Sequence, residues 1–172
     1  MSHEVNIFIE SSRDRESGHV FWFSMMQDKK NPEKILRFNG IHSADKQMMT
    51  TTDGGIIDGL CHALSSLNPD IKYSLNIITK RSHAALQKTI TSLNSIATND
   101  WKAGSKKYSM EVSDAFALKR FYGYQKRITN INFISDPENT NVKDMDMMAL
   151  QFKDLYLKEI SMLKTNTPTM EL

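Results

Sequence analysis

Apolar and polar residues alternate from the start of the chain. Val5, Ile7 and Ile9 lie between Asn6, Phe8 and Glu10. A period of two is the signature of a strand, and Phe8 on the second face predicts that both faces are covered. SSRDRESG then reads as a polar turn. Residues 19–26 (HVFWFSMM) are dense in aromatic and β-favouring side chains and predict a second strand. QDKKNPE, with Pro32, is a turn, and 34–42 (KILRFNGIH) predicts a third strand weakened by Gly40. The period then changes. Ile56, Leu60, Ala63, Leu64 and Leu67 recur at helical spacing behind N-cap candidates Thr52 and Asp53, and Asn68-Pro69-Asp70 stops the helix.

Residues 73–79 (YSLNIIT) predict a fourth strand. Leu86, Ile90, Leu93 and Ala97 predict one helix starting near Ser82. A basic loop, DWKAGSKK, precedes a helix expected over 112–122. Residues 128–134 (ITNINFI) predict a fifth strand. Met145, Met148, Ala149, Phe152, Tyr156, Ile160 and Leu163 form the apolar stripe of a long last helix. Closely spaced strands pair as an antiparallel meander, whereas β-α-β steps make parallel crossovers. The expected fold class is therefore α/β: a mixed five-stranded sheet, a three-strand antiparallel meander plus two crossover strands, flanked by helices. One domain is expected over 1–164, with 165–172 as a flexible polar tail.

Composition narrows the classes. The chain has 172 residues, is 40% hydrophobic and 24% charged, and fits a globular domain rather than a disordered or fibrous one. No run approaches the ~18 apolar residues of a membrane span, so no membrane association is expected. With Cys61 alone, neither an intramolecular disulfide nor a multi-cysteine zinc cluster can form, and a reducing, cytoplasmic setting is expected. Net charge is +2, but its distribution is uneven. Between Trp101 and Arg127, Lys102, Lys106, Lys107, Lys119, Arg120, Lys126 and Arg127 face only Glu111 and Asp114. Such a stretch is either a nucleic-acid surface or a solvated helix face. Trp101 and the interleaved Tyr108, Phe121, Tyr122 and Tyr124 either stack on bases or pack this segment onto the body.

Other chemistry fails on spacing. His3, His19, His42, His62 and His83 form no HxxxH or HExxH pattern. Cys61 and His62 are helix neighbours pointing about 100° apart, which suits packing and not a catalytic pair. No nucleotide-cradling glycine motif is present, although Gly54-Gly55 opens a helix and either admits a phosphate or is a plain junction. No cofactor is implied.

Several strings taken together resemble bacterial type I ribonuclease H. IFIESS (7–12) is similar to that family's first-strand motif, TTTDGGIIDGLCHALSSL to its first helix, and NIITKRS to its fourth strand and turn. NDWKAGSKK (99–107) resembles the start of its basic handle, and DPEN (136–139) the loop before its last catalytic aspartate. The resemblance spans roughly residues 4–160, implies the ribonuclease H-like fold, and makes 99–127 a handle-like segment. Family enzymes hold two metal ions ~4 Å apart with four acidic residues. Here the resemblance puts Glu10, Ile56, Lys80 and Asp146, with Asp144 as alternative, at those positions. Isoleucine cannot bind a metal. A lysine charge ~4 Å from a divalent ion is repelled by roughly 8 kcal/mol at an effective dielectric of ~20. Half of that repulsion still lowers metal affinity about a thousandfold. The expectation is thus a degenerate site with no bound metal, in which Lys80 pairs with Glu10 and Asp146 or contacts a phosphate.

The resulting functional expectation is a non-catalytic protein that binds duplex DNA or an RNA/DNA hybrid. Trp101, Lys102, Lys106, Lys107, Lys119, Arg120 and Lys80 would be the contacts. The first alternative is a protein-binding accessory or inhibitor module, such as a phage-encoded viral protein acting on a host complex. The second is a weak metal-dependent nuclease using Glu10 and Asp146.

Overall fold

The computed structural model describes residues 2–43, 50–103 and 110–166. A five-stranded sheet is built from β1 (His3–Arg13), β2 (Val20–Asp28), β3 (Ile35–His42), β4 (Tyr73–Thr79) and, after a short two-stranded ladder of β5 (Lys102–Ala103) and β6 (Met110–Glu111), β7 (Ile128–Ser135). Its strand order is β3-β2-β1-β4-β7. The meander is antiparallel, with Ile7 opposite Met26 and Trp22 opposite Gly40. The crossovers are parallel, with Ile7 opposite Ile77 and Ile77 opposite Phe133. This is the expected mixed sheet.

Both faces of β1 are covered, as its alternation requires. Ile7 and Ile9 join Leu75 and Ile77 beneath α1 (Thr52–Ser65), α2 (Ala84–Thr91), α3 (Leu93–Thr98) and α4 (Ala115–Tyr124). Their opposite neighbour Phe8 packs with Met25, Ile78, Val142 and Met145 under α5 (Thr140–Asn166). Phe21 adds edge-on contact to Phe152, with centroids 5.3 Å apart. Gly40 has a specific reason in β3. A Cβ there would lie 2.6 Å from Cζ2 of Trp22, whose fully buried indole crosses it. That indole donates Nε1–H to Asp58 at 2.8 Å.

Four boundaries differ from expectation. β1 runs on through Ser11, Ser12 and Arg13, which read as the start of a turn, because they pair with Trp22, Phe21 and Val20 of β2. The second helix breaks at Ser92 into α2 and α3. Thr89 and Thr91 there donate their hydroxyls to the carbonyls four residues back, a pattern that bends helices. The third helix starts at Ala115, not Val112, because Asp114 takes a left-handed φ of 58° while the Val112 amide still bonds Trp101 across the β5–β6 ladder. The cap of α1 is Thr51, whose hydroxyl accepts from the Gly54 amide, rather than Thr52 or Asp53. Most of the expected tail, 167–172, lies outside the described residues. Among the described residues no helix is long and apolar enough to cross a membrane.

Candidate functional site

Parallel pairing of β1 and β4 brings their C-terminal ends together. Phe8 opposes Ile78, so Glu10 and Lys80, two residues further on, meet at the same end of the sheet. Glu10 is 2% exposed. Its Oε1 accepts the amides of Lys80 at 2.6 Å and Arg81 at 3.4 Å. Burial pushes the Glu10 carboxyl above its ordinary range, the two amides and His83 oppose that rise, and the Asp146 charge adds to it. Lys80 turns its ammonium to Asp146 Oδ2 at 3.0 Å. The expected ion pair therefore forms with Asp146, whereas Glu10 is held by backbone amides instead of the lysine charge.

Ile56 is fully buried in the main core. One turn before it, Asp53 faces Nδ1 of His83 at 2.7 Å. The His83 side chain is 7% exposed and its Nε2 has no partner among the described residues. Asp144, two residues from Asp146 on α5, points away from it on the helix wheel. No group of three or more His, Cys, Asp or Glu side chains among the described residues is arranged to hold a metal ion.

The handle-like segment is anchored to the body. Asp100 and Trp101 follow α3 with φ of 54° and 60°. The Trp101 amide bonds Ile96 and the Asp100 amide bonds Ala97, a Schellman closure of the helix. Trp101 is half-buried against the core and meets Tyr122 edge-on at 5.8 Å, with the Lys119 ammonium 5.9 Å from its ring. Of the two readings of Trp101, this geometry is the bracing one. Lys102 is exposed, with Asp100 3.8 Å away. Lys106 and Lys107 lie outside the described residues. Arg120 has an internal partner: its guanidinium donates to the buried Asp58 at 3.0 Å and so ties α4 to α1.

The Gly54-Gly55 junction takes an internal anion. Asp114, 4% exposed, accepts the Thr51 amide at 3.0 Å and the Thr51 hydroxyl at 2.6 Å, and faces His42 Nε2 at 2.9 Å. Its carboxylate fills the space beside Gly54 that a Cβ would need. Cys61 is a packed core residue whose thiol burial pushes up to about 12.

Sequence reasoning passed over Arg13, Arg15 and Arg81. They line a cavity of about 310 Å³ beside Asp146 and Thr52. Their signal was two basic strings, RDR and KR, at the C-terminal ends of the strands that carry Glu10 and Thr79.

No family model matches the chain, and no curated protein matches it in sequence. Solved structures do. The N-terminal RNase H domain of a Mycobacterium tuberculosis protein, solved as a fusion with maltose-binding protein, matches at 12% identity over 91% of this chain and 99% of that one, with a TM-score of 0.56. A type 1 RNase H with the type 2 active-site motif matches at 11% identity over 88% of this chain and 72% of the other, at 0.61. A foamy viral protease-reverse transcriptase in complex with RNA/DNA hybrid matches at 11% identity over 87% of this chain and 20% of that chain, at 0.57. The chain thus has a ribonuclease H-like fold.

Proposed function

We propose that this ribonuclease H-like domain binds nucleic acid, duplex DNA or an RNA/DNA hybrid, without cleaving it. The observation that carries the reading is the position of Lys80. Its ammonium is on Asp146 and its amide is on Glu10, so one residue engages both acids at the end of the sheet. A divalent ion at these acids would meet a positive charge within contact distance, and hard cations need several free oxygens. Ile56, buried in the core, offers none. The nucleic-acid half of the proposal draws on exposed Lys102 and Lys119, on Lys106 and Lys107 in the sequence, and on the arginines beside Asp146. It also draws on the hybrid-bound complex of the foamy viral neighbour.

Fluorescence anisotropy with duplex DNA, RNA/DNA hybrid and single strands, at two salt concentrations with Mg²⁺ or Mn²⁺, tests both halves when the same samples are run on a gel. Salt-sensitive binding with intact strands is the expected result. Metal-dependent cleavage that disappears in Glu10→Gln and Asp146→Asn would instead establish a nuclease.

A protein-binding role is favoured by one observation, that β3 is an edge strand of the sheet among the described residues. Leu36 is 50% exposed there beside Ile35, and both border a cavity of about 570 Å³ that reaches Leu67 and Tyr73. Absence of nucleic-acid binding at low salt would favour this role.

A further inference from the structure

We propose that the cavity between the end of β1, the start of α1 and α5 is a phosphate-binding site whose ligands are the guanidiniums of Arg13, Arg15 and Arg81. The inference rests on the nucleic-acid reading above for the source of the phosphate and names the chemistry that this end of the sheet would recognise.

The three arginines reach the cavity from separate points: the last residue of β1, the turn that follows it, and the loop after β4. All three are exposed, and none of their guanidiniums has a hydrogen-bond or carboxylate partner among the described residues. Lys80, the neighbour of Arg81, is by contrast already paired with Asp146. The one carboxylate that lines the cavity among the described residues is that same Asp146, whose charge Lys80 already offsets. Asp14 sits between Arg13 and Arg15 in sequence but does not neutralise them. Its Oδ2 caps the turn, accepting the Ser17 amide at 2.9 Å and hydroxyl at 2.6 Å, and these bonds hold it below the usual carboxylate range.

Three like charges lining one cavity, whose single carboxylate among the described residues is already paired with Lys80, repel one another, and an anion between them lowers that repulsion. Guanidinium forks match the oxygens of a phosphate in pairs, which a lysine ammonium does not. Ser12 adds a half-buried hydroxyl to the same wall. A volume of about 310 Å³ accommodates a phosphate with part of its nucleoside and is too small for a folded partner. The shared chemistry is a phosphate oxyanion, supplied either by the backbone of a strand or by a terminal or free phosphate.

The test uses the full chain and an Arg13→Gln, Arg15→Gln, Arg81→Gln triple variant, whose melting confirms that the fold is kept. Inorganic phosphate is titrated while the arginine Nε–H signals are followed by NMR. Matched oligonucleotides with a 5′-phosphate or a 5′-hydroxyl are then bound by anisotropy. Phosphate should move the signals of Arg13, Arg15 and Arg81, and the triple variant should bind either oligonucleotide about tenfold or more weakly with a shallower salt dependence. Equal affinity for the two oligonucleotides assigns a backbone phosphate, and preference for the 5′-phosphate assigns a strand end. Phosphate-induced shifts with no oligonucleotide binding would refute the nucleic-acid reading and leave the site as one for free phosphate. Unmoved arginine signals, with oligonucleotide affinity unchanged in the triple variant, would overturn the site and leave the nucleic-acid reading intact.

Discussion

The carboxylate of Asp114 occupies the space that a side chain on Gly54 would need: a Cβ on Gly54 would overlap Asp114 Oδ1. Glycine at this point of α1 is therefore a packing requirement set by a residue sixty positions away. Gly54→Ala should expel the carboxylate and leave the Thr51 amide, the Thr51 hydroxyl and His42 without their shared partner. The expected cost is about 3 kcal/mol or more. For a domain of this size that lowers the melting temperature by roughly 6–12 °C. Asp114→Asn keeps the shape and loses the charge, and should cost about 1–2 kcal/mol. Urea denaturation of both variants checks the order. A Gly54→Ala variant as stable as the wild type would show that Asp114 does not hold this junction.

The closure of α3 contains a second strained position. Asp100 stands at the left-handed site where such closures favour glycine. Asp100→Gly should stabilise the domain by about 0.5–1 kcal/mol, because it removes the left-handed penalty while its 3.8 Å contact with exposed Lys102 contributes little. Trp101 has nearly the same φ, yet Trp101→Gly should destabilise by about 3 kcal/mol or more, because the indole is packed against the core and Tyr122. Thermal melts of the two variants should move in opposite directions.

The strands and the meander were legible because their signals are local. Alternation in Val5–Ile9 and the turn at Pro32 act within a few residues, and the mix of antiparallel and parallel pairing followed from connection lengths. What escaped notice depends on pairs far apart in sequence. His42 and Asp114 meet across 72 positions. Asp114 itself fell inside an expected helix, because no residue type announces a left-handed φ. Glu10, Lys80 and Asp146 could be named as neighbours only through the resemblance, and even then the lysine was expected on both acids. The arginine cavity was missed because RDR reads as a solvated turn until parallel pairing of β1 and β4 places it beside Arg81. The break at Ser92 comes from Thr89 and Thr91 bonding back to the helix, whereas the apolar period continues unbroken through Leu93 and Ala97.

Arg120 and the handle lysines should separate cleanly. Arg120→Ala leaves the buried Asp58 carboxylate with the Trp22 N–H as its remaining side-chain partner among the described residues and should cost about 1–2 kcal/mol of stability, while duplex affinity changes less than about twofold. Replacing Lys102, Lys106 and Lys107 together by Ala should do the reverse. Melting should move by less than about 2 °C, and the slope of log affinity against log salt should become shallower by about 0.9 for each duplex phosphate that is no longer neutralised. Measuring both variants by anisotropy across a salt series tests the assignment. A large affinity loss in Arg120→Ala at preserved stability would return that arginine to the binding surface.

Glu10 gives the domain a pH dependence of uncommon sign. Its carboxyl is raised above its ordinary value of 4.5, chiefly by burial. Between that value and the folded-state value the native protein holds more protons than the unfolded chain, so stability falls as pH rises through the window. Above the window both states are ionised and the cost of the buried charge is fully present. Glu10→Gln keeps an oxygen to accept the Lys80 and Arg81 amides and removes the charge. It should therefore be more stable than the wild type at neutral pH, and the difference should vanish as pH falls below about 4.5. Asp146→Asn should narrow the window, because the Asp146 charge is one of the causes of the rise. Urea midpoints across the pH range read all three proteins. A Glu10→Gln variant that is less stable than the wild type at neutral pH would mean that the ionised carboxylate is a net stabiliser, held by its amides and by the positive charge around it more strongly than burial opposes it.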